Sequence, residues 1–240
     1  MRVAVTGKRG QVANALRECG APDIEIVALG RPECDLAQRE SVLAVFDGSL
    51  DRPYREDDAT GPTGVYGRSK LAGERRVAGI HSRSAILRAA WVYSPFGANF
   101  VRTMLRLAQT RDDIGVVGDQ RGNPTSALDI AEALLRVAQR LVADPSSAST
   151  GVFHMAGTGE ASWADLAEAT FAIAARHGRP RPNVRRIATA DYPTAARRPA
   201  NSRLDTTKFA SVFGFSLPEW TQSLPVCVER LLDVPLSLES

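Results

Sequence analysis

The chain has 240 residues, 44% of them apolar and 24% charged, with a formal net charge of +3. That is room for one large or two modest folded domains, and the balance excludes a disordered tail or a fibre and gives no ground for a nucleic-acid partner. No run of about 18 apolar residues marks a membrane span, and Met1 leads straight into an apparent strand, so a cytoplasmic location without a membrane partner is expected.

In chain order, Val3 to Val5 reads as a short strand, Gly7-Lys-Arg-Gly10 as a turn, Val12 to Cys19 as a helix and Ile24 to Leu29 as a second strand. This βαβ unit has the size found in a doubly wound sheet. A short helical stretch at Glu40 to Val45 runs into a polar, turn-rich segment that ends near Pro62. Helix is expected again at Val65 to Val77, a buried strand at Ala85 to Val92 and an amphipathic helix at Asn99 to Gln109. Beyond these come a strand at Gly115 to Val117, a long helix at Leu128 to Val142 and a linker at Asp144 to Thr150. A strand at Val152 to Met155, a helix at Trp163 to Arg176, a Pro/Arg-rich stretch at Gly178 to Pro199 and a helix at Leu224 to Leu232 complete the chain. The pattern is α/β: a dinucleotide-binding part over 1–125 and a smaller mixed part over 126–240, with the chain passing between the two.

Three features carry chemistry. Gly7-x-x-Gly10-x-x-Ala13 turns a strand into a helix, which sets backbone N–H groups and a positive helix end against a pyrophosphate. A plain tight turn is the alternative. At the end of the second strand stands Gly30-Arg31, where a basic residue receives a 2′-phosphate and so favours NADPH over NADH; a solvated arginine is the alternative. Asp35-Leu36 follows and would border the adenine.

The third feature is Tyr66-Gly-Arg-Ser-Lys70, whose i, i+4 spacing puts a phenol and an ammonium on one helix face. The ammonium stabilises phenolate and makes the tyrosine a usable general acid or base. Only three of the 30 basic residues are lysines, Lys8, Lys70 and Lys208, so the pairing carries more information than an arginine would. A surface helix pair is the alternative. The cysteines, Cys19, Cys34 and Cys227, are odd in number and widely spaced, and read as reduced thiols.

With these residues the chain resembles the extended short-chain dehydrogenase/reductases and, within them, the dTDP-4-dehydrorhamnose reductases. The resemblance rests on Thr6-Gly-Lys-Arg-Gly-Gln-Val12, Asp35-Leu36, Val45-Phe-Asp-Gly48, Tyr66-Gly-Arg-Ser-Lys-Leu-Ala-Gly-Glu74 and Leu87-Arg-Ala-Ala-Trp-Val-Tyr93. It extends through Asn99-Phe100, Asp119-Gln-Arg-Gly-Asn-Pro-Thr125 and Ala196-Arg-Arg-Pro-Ala-Asn-Ser-Arg-Leu204. It implies that Gly7, Gly10, Gln11 and Val12 hold the cofactor pyrophosphate, that Arg31, Asp35 and Leu36 lie at the adenosine, and that Tyr66 protonates the sugar C4 oxygen while Lys70 tunes it and binds nicotinamide ribose. Trp91, Asn99, Arg197, Arg198 and Arg203 would bind the nucleotide sugar; a core tryptophan and a solvated basic loop are the alternatives for Trp91 and the arginines.

The resemblance implies NADPH-dependent reduction of dTDP-4-dehydro-L-rhamnose to dTDP-L-rhamnose, for surface polysaccharide. A homodimer and a bound Mg²⁺ are both compatible with it, although no motif indicates the metal. The pattern departs at one place: Ala44 runs straight into Val45-Phe-Asp-Gly48, where the family carries two further strands and the Ser/Thr that holds the substrate carbonyl. Two βα units, about 50 to 60 residues, are missing. The expected fold is therefore a Rossmann-like doubly wound sheet without two central strands, whose first strand has lost a neighbour. A catalytically impaired or regulatory dinucleotide-binding homologue is the competing reading, and an internally shortened form of an ordinary enzyme a third.

Overall fold

The fold, seen in a computed structural model, is α/β and Rossmann-like. The structure describes residues 1–6, 10–20, 23–29, 45–62, 64–144, 147–192 and 198–233. Of the expected elements, the helix at Glu40 to Val45 lies almost wholly outside these residues.

β1 (Arg2–Thr6), α1 (Gln11–Glu18) and β2 (Glu25–Leu29) form the expected unit, with β1 and β2 parallel in the register Arg2↔Glu25 to Thr6↔Leu29. α2 (Val65–Ile80) leads to β3 (Ala85–Arg88) and β4 (Val92–Tyr93). The single strand expected from Ala85 to Val92 is thus broken, because Trp91 takes φ +45, in the left-handed region where an extended ladder cannot continue.

α3 (Phe100–Leu107), β5 (Asp113–Val117), β6 (Arg121–Gly122), β7 (Thr125–Ser126) and α4 (Ala127–Ala143) follow. Then come β8 (Gly151–His154), β9 (Ala161–Ser162), α5 (Trp163–Arg176), β10 (Asn183–Ile187), α6 (Thr207–Phe213) and α7 (Trp220–Asp233). β10 and α6 fall where the sequence suggests only a Pro/Arg-rich stretch and a connection.

Five two-stranded ladders make up the sheet structure: β1–β2, β3–β8, β4–β7 and β5–β10 are parallel, and β6–β9 is antiparallel. Among the described residues no ladder joins β1 to β3. Parallel strands are ordinarily covered on both faces, yet Arg2 and Ala4 of β1 are exposed and all four residues of β3 are only half-buried.

What holds the N-terminal unit is a helix. Ala15 and Leu16 of α1, with Val3, Val5 and Ile26 of its strands, pack against Ala127, Ala131 and Leu135 of α4, and Arg230 of α7 pairs with Glu18 at 2.7 Å. The core elsewhere is continuous: α5 and α7 meet through Leu166, Leu224, Val228 and Leu231, and Phe171 of α5 packs on Ile114 and Val116 of β5.

The segment after the missing strands is clasped to a distant one. Asn201 donates to the carbonyls of Leu50 and Arg52 at 2.7 Å, Tyr54 bridges Leu204, and Gly48 at φ +83 lies so close to Pro199 that a Cβ would stand 2.3 Å from it.

Candidate active site

α1 begins at Gly10 with no side chain capping its first turn. A Cβ at Gly10 would meet nothing within 4 Å, so the first-turn N–H groups open onto free space. Gln11 donates to the Ala98 carbonyl at 3.3 Å, which ties this turn to the 94–99 loop, while its buried Oε1 has no partner. Val12 faces inward between α4 and β3. An open glycine turn and an uncapped helix end fit a dinucleotide pyrophosphate. Gly7, Arg31, Asp35 and Leu36 lie outside the described residues.

α2 also starts on a glycine, Gly64, with no side-chain cap and no acid in its first turn. Tyr66 and Lys70 occupy one turn of it; Lys70 is exposed, and the Tyr66 side chain lies outside the description. The helix is oriented from its other face. Gly67 is buried, Leu71 packs on the Phe46/Tyr54 cluster, and Glu74 takes Arg88 of β3 in a two-pronged pair at 3.1 and 2.7 Å. Both partners of that pair are at least 85% shielded, at 10% and 15% exposure, so it is a strong constraint on where α2 stands.

Beneath α2, Phe46 stacks on Tyr54 at 4.2 Å, and the Tyr54 hydroxyl donates to Asp47 at 2.8 Å. The Ser49 backbone N–H and the Tyr54 hydroxyl hold the Asp47 carboxyl below the usual range. His154, at the end of β8, is wholly buried edge-on to Phe46. Its Nδ1 donates to the Tyr54 carbonyl at 3.0 Å, which leaves Nε2 without a partner.

The second group of expected residues centres on Trp91. Trp91 is 4% exposed, and its indole lies flat on that of Trp163 at 3.6 Å and 8°. Its Nε1 donates to Ser202, and Gly122 sits so close that a Cβ there would fall 2.4 Å from the ring. Trp163 donates to Gln120, Gln120 donates to Thr189, and the Arg198 guanidinium lies 5.8 Å from the Trp163 ring.

Two other expected residues are engaged within the protein. Asn99 caps α3, accepting from Arg102 N–H at 3.2 Å and donating to Ser94 at 2.7 Å. Arg203 pairs with Glu160 at 2.9 Å, donates to Asn201 and reaches the Asp51 carbonyl. Arg198 is exposed, and Arg197 lies outside the described residues. The structure thus gathers Trp91, Arg198 and the 199–204 segment at one place, with Gly10, Gln11 and Val12 at another.

Trp163, Gln120 and Asn201 were not singled out from sequence. Trp163 and Gln120 flank Trp91, and Asn201 anchors the arginine-rich segment; only Gln120 and Asn201 lie inside quoted motifs. Among the described residues no group of three His, Cys, Asp or Glu side chains is placed to hold a metal ion, and no helix is long and apolar enough to cross a membrane.

Comparison with known proteins gives this arrangement a lineage. The model for the RmlD substrate binding domain matches residues 41–232. The dTDP-4-dehydrorhamnose reductase of Sinorhizobium fredii is 40% identical over 290 positions, covering 97% of this chain and 98% of that protein. Those 290 positions exceed the 240 residues available, so at least 50 have no residue here. The reductases of Aggregatibacter actinomycetemcomitans and Escherichia coli K12 are 44% and 40% identical over 75% and 79% of this chain, which spans 62% of each. A solved reductase of Clostridium acetobutylicum superposes with a TM-score of 0.86 at 25% identity, covering 98% of this chain and 100% of that one. One of Bacillus anthracis, in complex with NADP, gives 0.81 at 25% identity, covering 93% and 97%. With its matched segment, its identity along nearly the whole sequence and its superposition all pointing one way, the chain belongs to the dTDP-4-dehydrorhamnose reductase family.

Proposed function

We infer that this protein is an NADPH-dependent oxidoreductase that reduces the 4-keto group of dTDP-4-dehydro-L-rhamnose to give dTDP-L-rhamnose, a sugar donor for surface polysaccharide. The observation that carries this reading is the Tyr66/Lys70 pair, one turn apart on a helix that the Glu74–Arg88 pair fixes to β3, in a chain 40% identical to a reductase over 97% of its length. The nicotinamide cofactor, when bound, supplies the hydride.

The chain's own residues bind, orient and move one proton. Gly7, Gly10 and the first turn of α1, with Gln11 and Val12, hold the pyrophosphate, and the resemblance assigns Arg31, Asp35 and Leu36 to the adenosine. The Tyr66 hydroxyl gives its proton to the C4 oxygen, and the Lys70 ammonium makes the resulting phenolate tolerable. The Trp91–Trp163 stack flanks the nucleotide sugar. Arg198 and Arg197 offer charge to its diphosphate, whereas Arg203 and Asn99 act by holding the 199–204 segment and α3. The protein works in the cytoplasm, as a homodimer.

One observation favours a second reading, a dinucleotide-binding homologue without turnover: among the described residues β1 and β3 share no ladder, and at least 50 aligned positions of the S. fredii reductase have no residue here. Loss of NADPH absorbance in the presence of the 4-keto sugar nucleotide decides between them. Turnover by the intact chain that falls at least about a hundredfold in Tyr66→Phe, with cofactor affinity kept, is the expected result. NADPH binding with no turnover selects the second reading.

A further inference from the structure

One tripeptide, Asp119-Gln-Arg121, holds both ends of the connection that leaves β10 and carries Arg198. The β5–β10 ladder runs to Val117 and Ile187, and a bond from the Gly118 N–H to the Ile187 carbonyl at 3.0 Å extends it by one step. Directly beyond, the Asp119 carboxylate accepts from the Thr189 hydroxyl at 2.6 Å and from the Thr189 backbone N–H at 2.9 and 3.0 Å. At the far end the Arg121 N–H donates to the Ala200 carbonyl, and the Arg121 carbonyl accepts from the Ser202 N–H, both at 2.8 Å. Where the connection starts and where it finishes are therefore set by neighbouring residues of one short segment.

The middle residue joins these anchors to the aromatic stack, and the chemistry of each group dictates the direction of the chain. A carboxylate only accepts, so the Thr189 hydroxyl gives its hydrogen to Asp119 and keeps a lone pair for the Gln120 amide N–H at 3.0 Å. That orients the amide: Gln120 Oε1 meets the Trp163 indole N–H at 3.1 Å, and an indole only donates. The Thr189 hydroxyl, and after it the Thr189 N–H, hold the Asp119 carboxyl below the usual range, which keeps it an acceptor at neutral pH. Gln120 is 4% exposed, so a break in the chain leaves a shielded amide atom unanswered. Trp91 answers to the other anchor, since its Nε1 donates to Ser202. Each of the two stacked indoles is thus tied to one end of the connection, and Arg198 within it lies 5.8 Å from the Trp163 ring. Arg121 and Arg203 pair with Glu160 at 3.0 and 2.9 Å, which commits them to holding the far anchor.

We propose that Asp119, Gln120 and Thr189 are positioning residues for the nucleotide diphosphate: they set the start of the Arg198-bearing connection against the Trp91–Trp163 stack, so that a guanidinium stands beside the indoles before the ligand arrives. This rests on the reductase reading, which gives Arg198 that ligand. None of the three touches the ligand. They act through Arg198 and Trp163, by removing in advance the freedom that the connection would otherwise lose on binding.

The test compares the intact chain with Thr189→Val and Thr189→Ser, titrating each with dTDP and, separately, with NADPH in a calorimeter. Thr189→Val removes the hydroxyl at nearly constant volume and keeps the backbone N–H that Asp119 accepts; Thr189→Ser restores the hydroxyl. Expected are dTDP binding about tenfold weaker in Thr189→Val, NADPH affinity within about twofold of the parent, and dTDP affinity in Thr189→Ser within about threefold of the parent. Faster solvent exchange of the Trp163 indole N–H should accompany the loss in Thr189→Val alone. Undiminished dTDP affinity in Thr189→Val overturns the proposal. So does a loss that Thr189→Ser fails to restore, which would assign the effect to the methyl group, or an equal fall in NADPH affinity, which would mark a general loosening of the fold. A parent chain that binds NADPH and no dTDP overturns the nucleotide-sugar reading and this proposal together, whereas a parent that binds dTDP no better than Thr189→Val overturns this proposal alone.

Discussion

The helices α1 and α2 begin in the opposite way to α3, α4 and α5. α1 and α2, which carry the cofactor and proton-donor residues, start on Gly10 and Gly64 with no side chain answering their first N–H groups. α3, α4 and α5 start on Asn99, Ser126 and Ser162, each of which accepts from its own first turn, and Ser162 with Asp165 completes a reciprocal capping box. Packing follows the same division: most of α2 faces solvent and β1 exposes alternate residues, while α4, α5 and α7 each bury a continuous side. The lesson is that an end left open for an anion gives up the capping energy, about 1 kcal/mol per helix, and depends on the closed half for its position.

Removing core volume tests that dependence most severely. Phe171→Ala, at a residue 1% exposed between α5 and β5, should cost about 3–5 kcal/mol in urea denaturation. Val5→Ala, in the half-covered β1, should cost about 1 kcal/mol; equal losses would break the comparison. Next comes Gly122→Ala, where the added methyl lands on the Trp91 ring. We expect about 1–3 kcal/mol of destabilisation and a loss of the near-ultraviolet circular dichroism of the Trp91–Trp163 stack.

Acid acts on the closed half through His154. Burial, its largest influence, and the nearby Arg88 push this imidazole below its ordinary value of 6.5, against an opposing pull from Glu56. The folded chain therefore refuses a proton that the unfolded chain accepts once pH drops below about 6.5. Stability conferred by the neutral ring is present above that value and lost as pH falls, with a slope approaching about 1.4 kcal/mol per pH unit. Denaturation between pH 7.5 and 5 checks this, and the contribution should vanish in His154→Gln. The smallest effects sharpen the contrast of helix ends. Ser162→Ala should cost about 1 kcal/mol, whereas Gly10→Ala should leave stability within about 0.5 kcal/mol and weaken NADPH binding at least about tenfold, as calorimetry would show.

Local signals made some of this legible. α5 runs from Trp163 to Arg176 as its periodicity predicts, because Ser162-Trp-Ala-Asp165 writes its own start. The Tyr66/Lys70 spacing and the glycine turn are local too. β10 escaped notice because Asn-Val-Arg-Arg-Ile has two apolar residues and owes its strand form to pairing with β5, some 70 residues earlier in the chain. Trp91 interrupts the strand for a tertiary reason, its stack on Trp163 over Gly122. The self-contained roles of Asn99 and Arg203 were hidden in the same way, since a motif names a residue without naming its partners. The break between β1 and β3 was foreseeable only from motif order, and composition carries no trace of it.

The clasp of residues 47–54 onto 199–205 has a consequence for synthesis. Asn201 and the Leu50 carbonyl it bonds are 151 residues apart, so at 5–20 residues per second the earlier strand of the clasp waits about 8–30 s on the ribosome for the later one. During that interval Phe46 and Tyr54 lack Leu204, and α2 lacks the finished cluster under Leu71. Until translation passes position 205, the nascent chain therefore carries an aromatic cluster with its last apolar member still unmade.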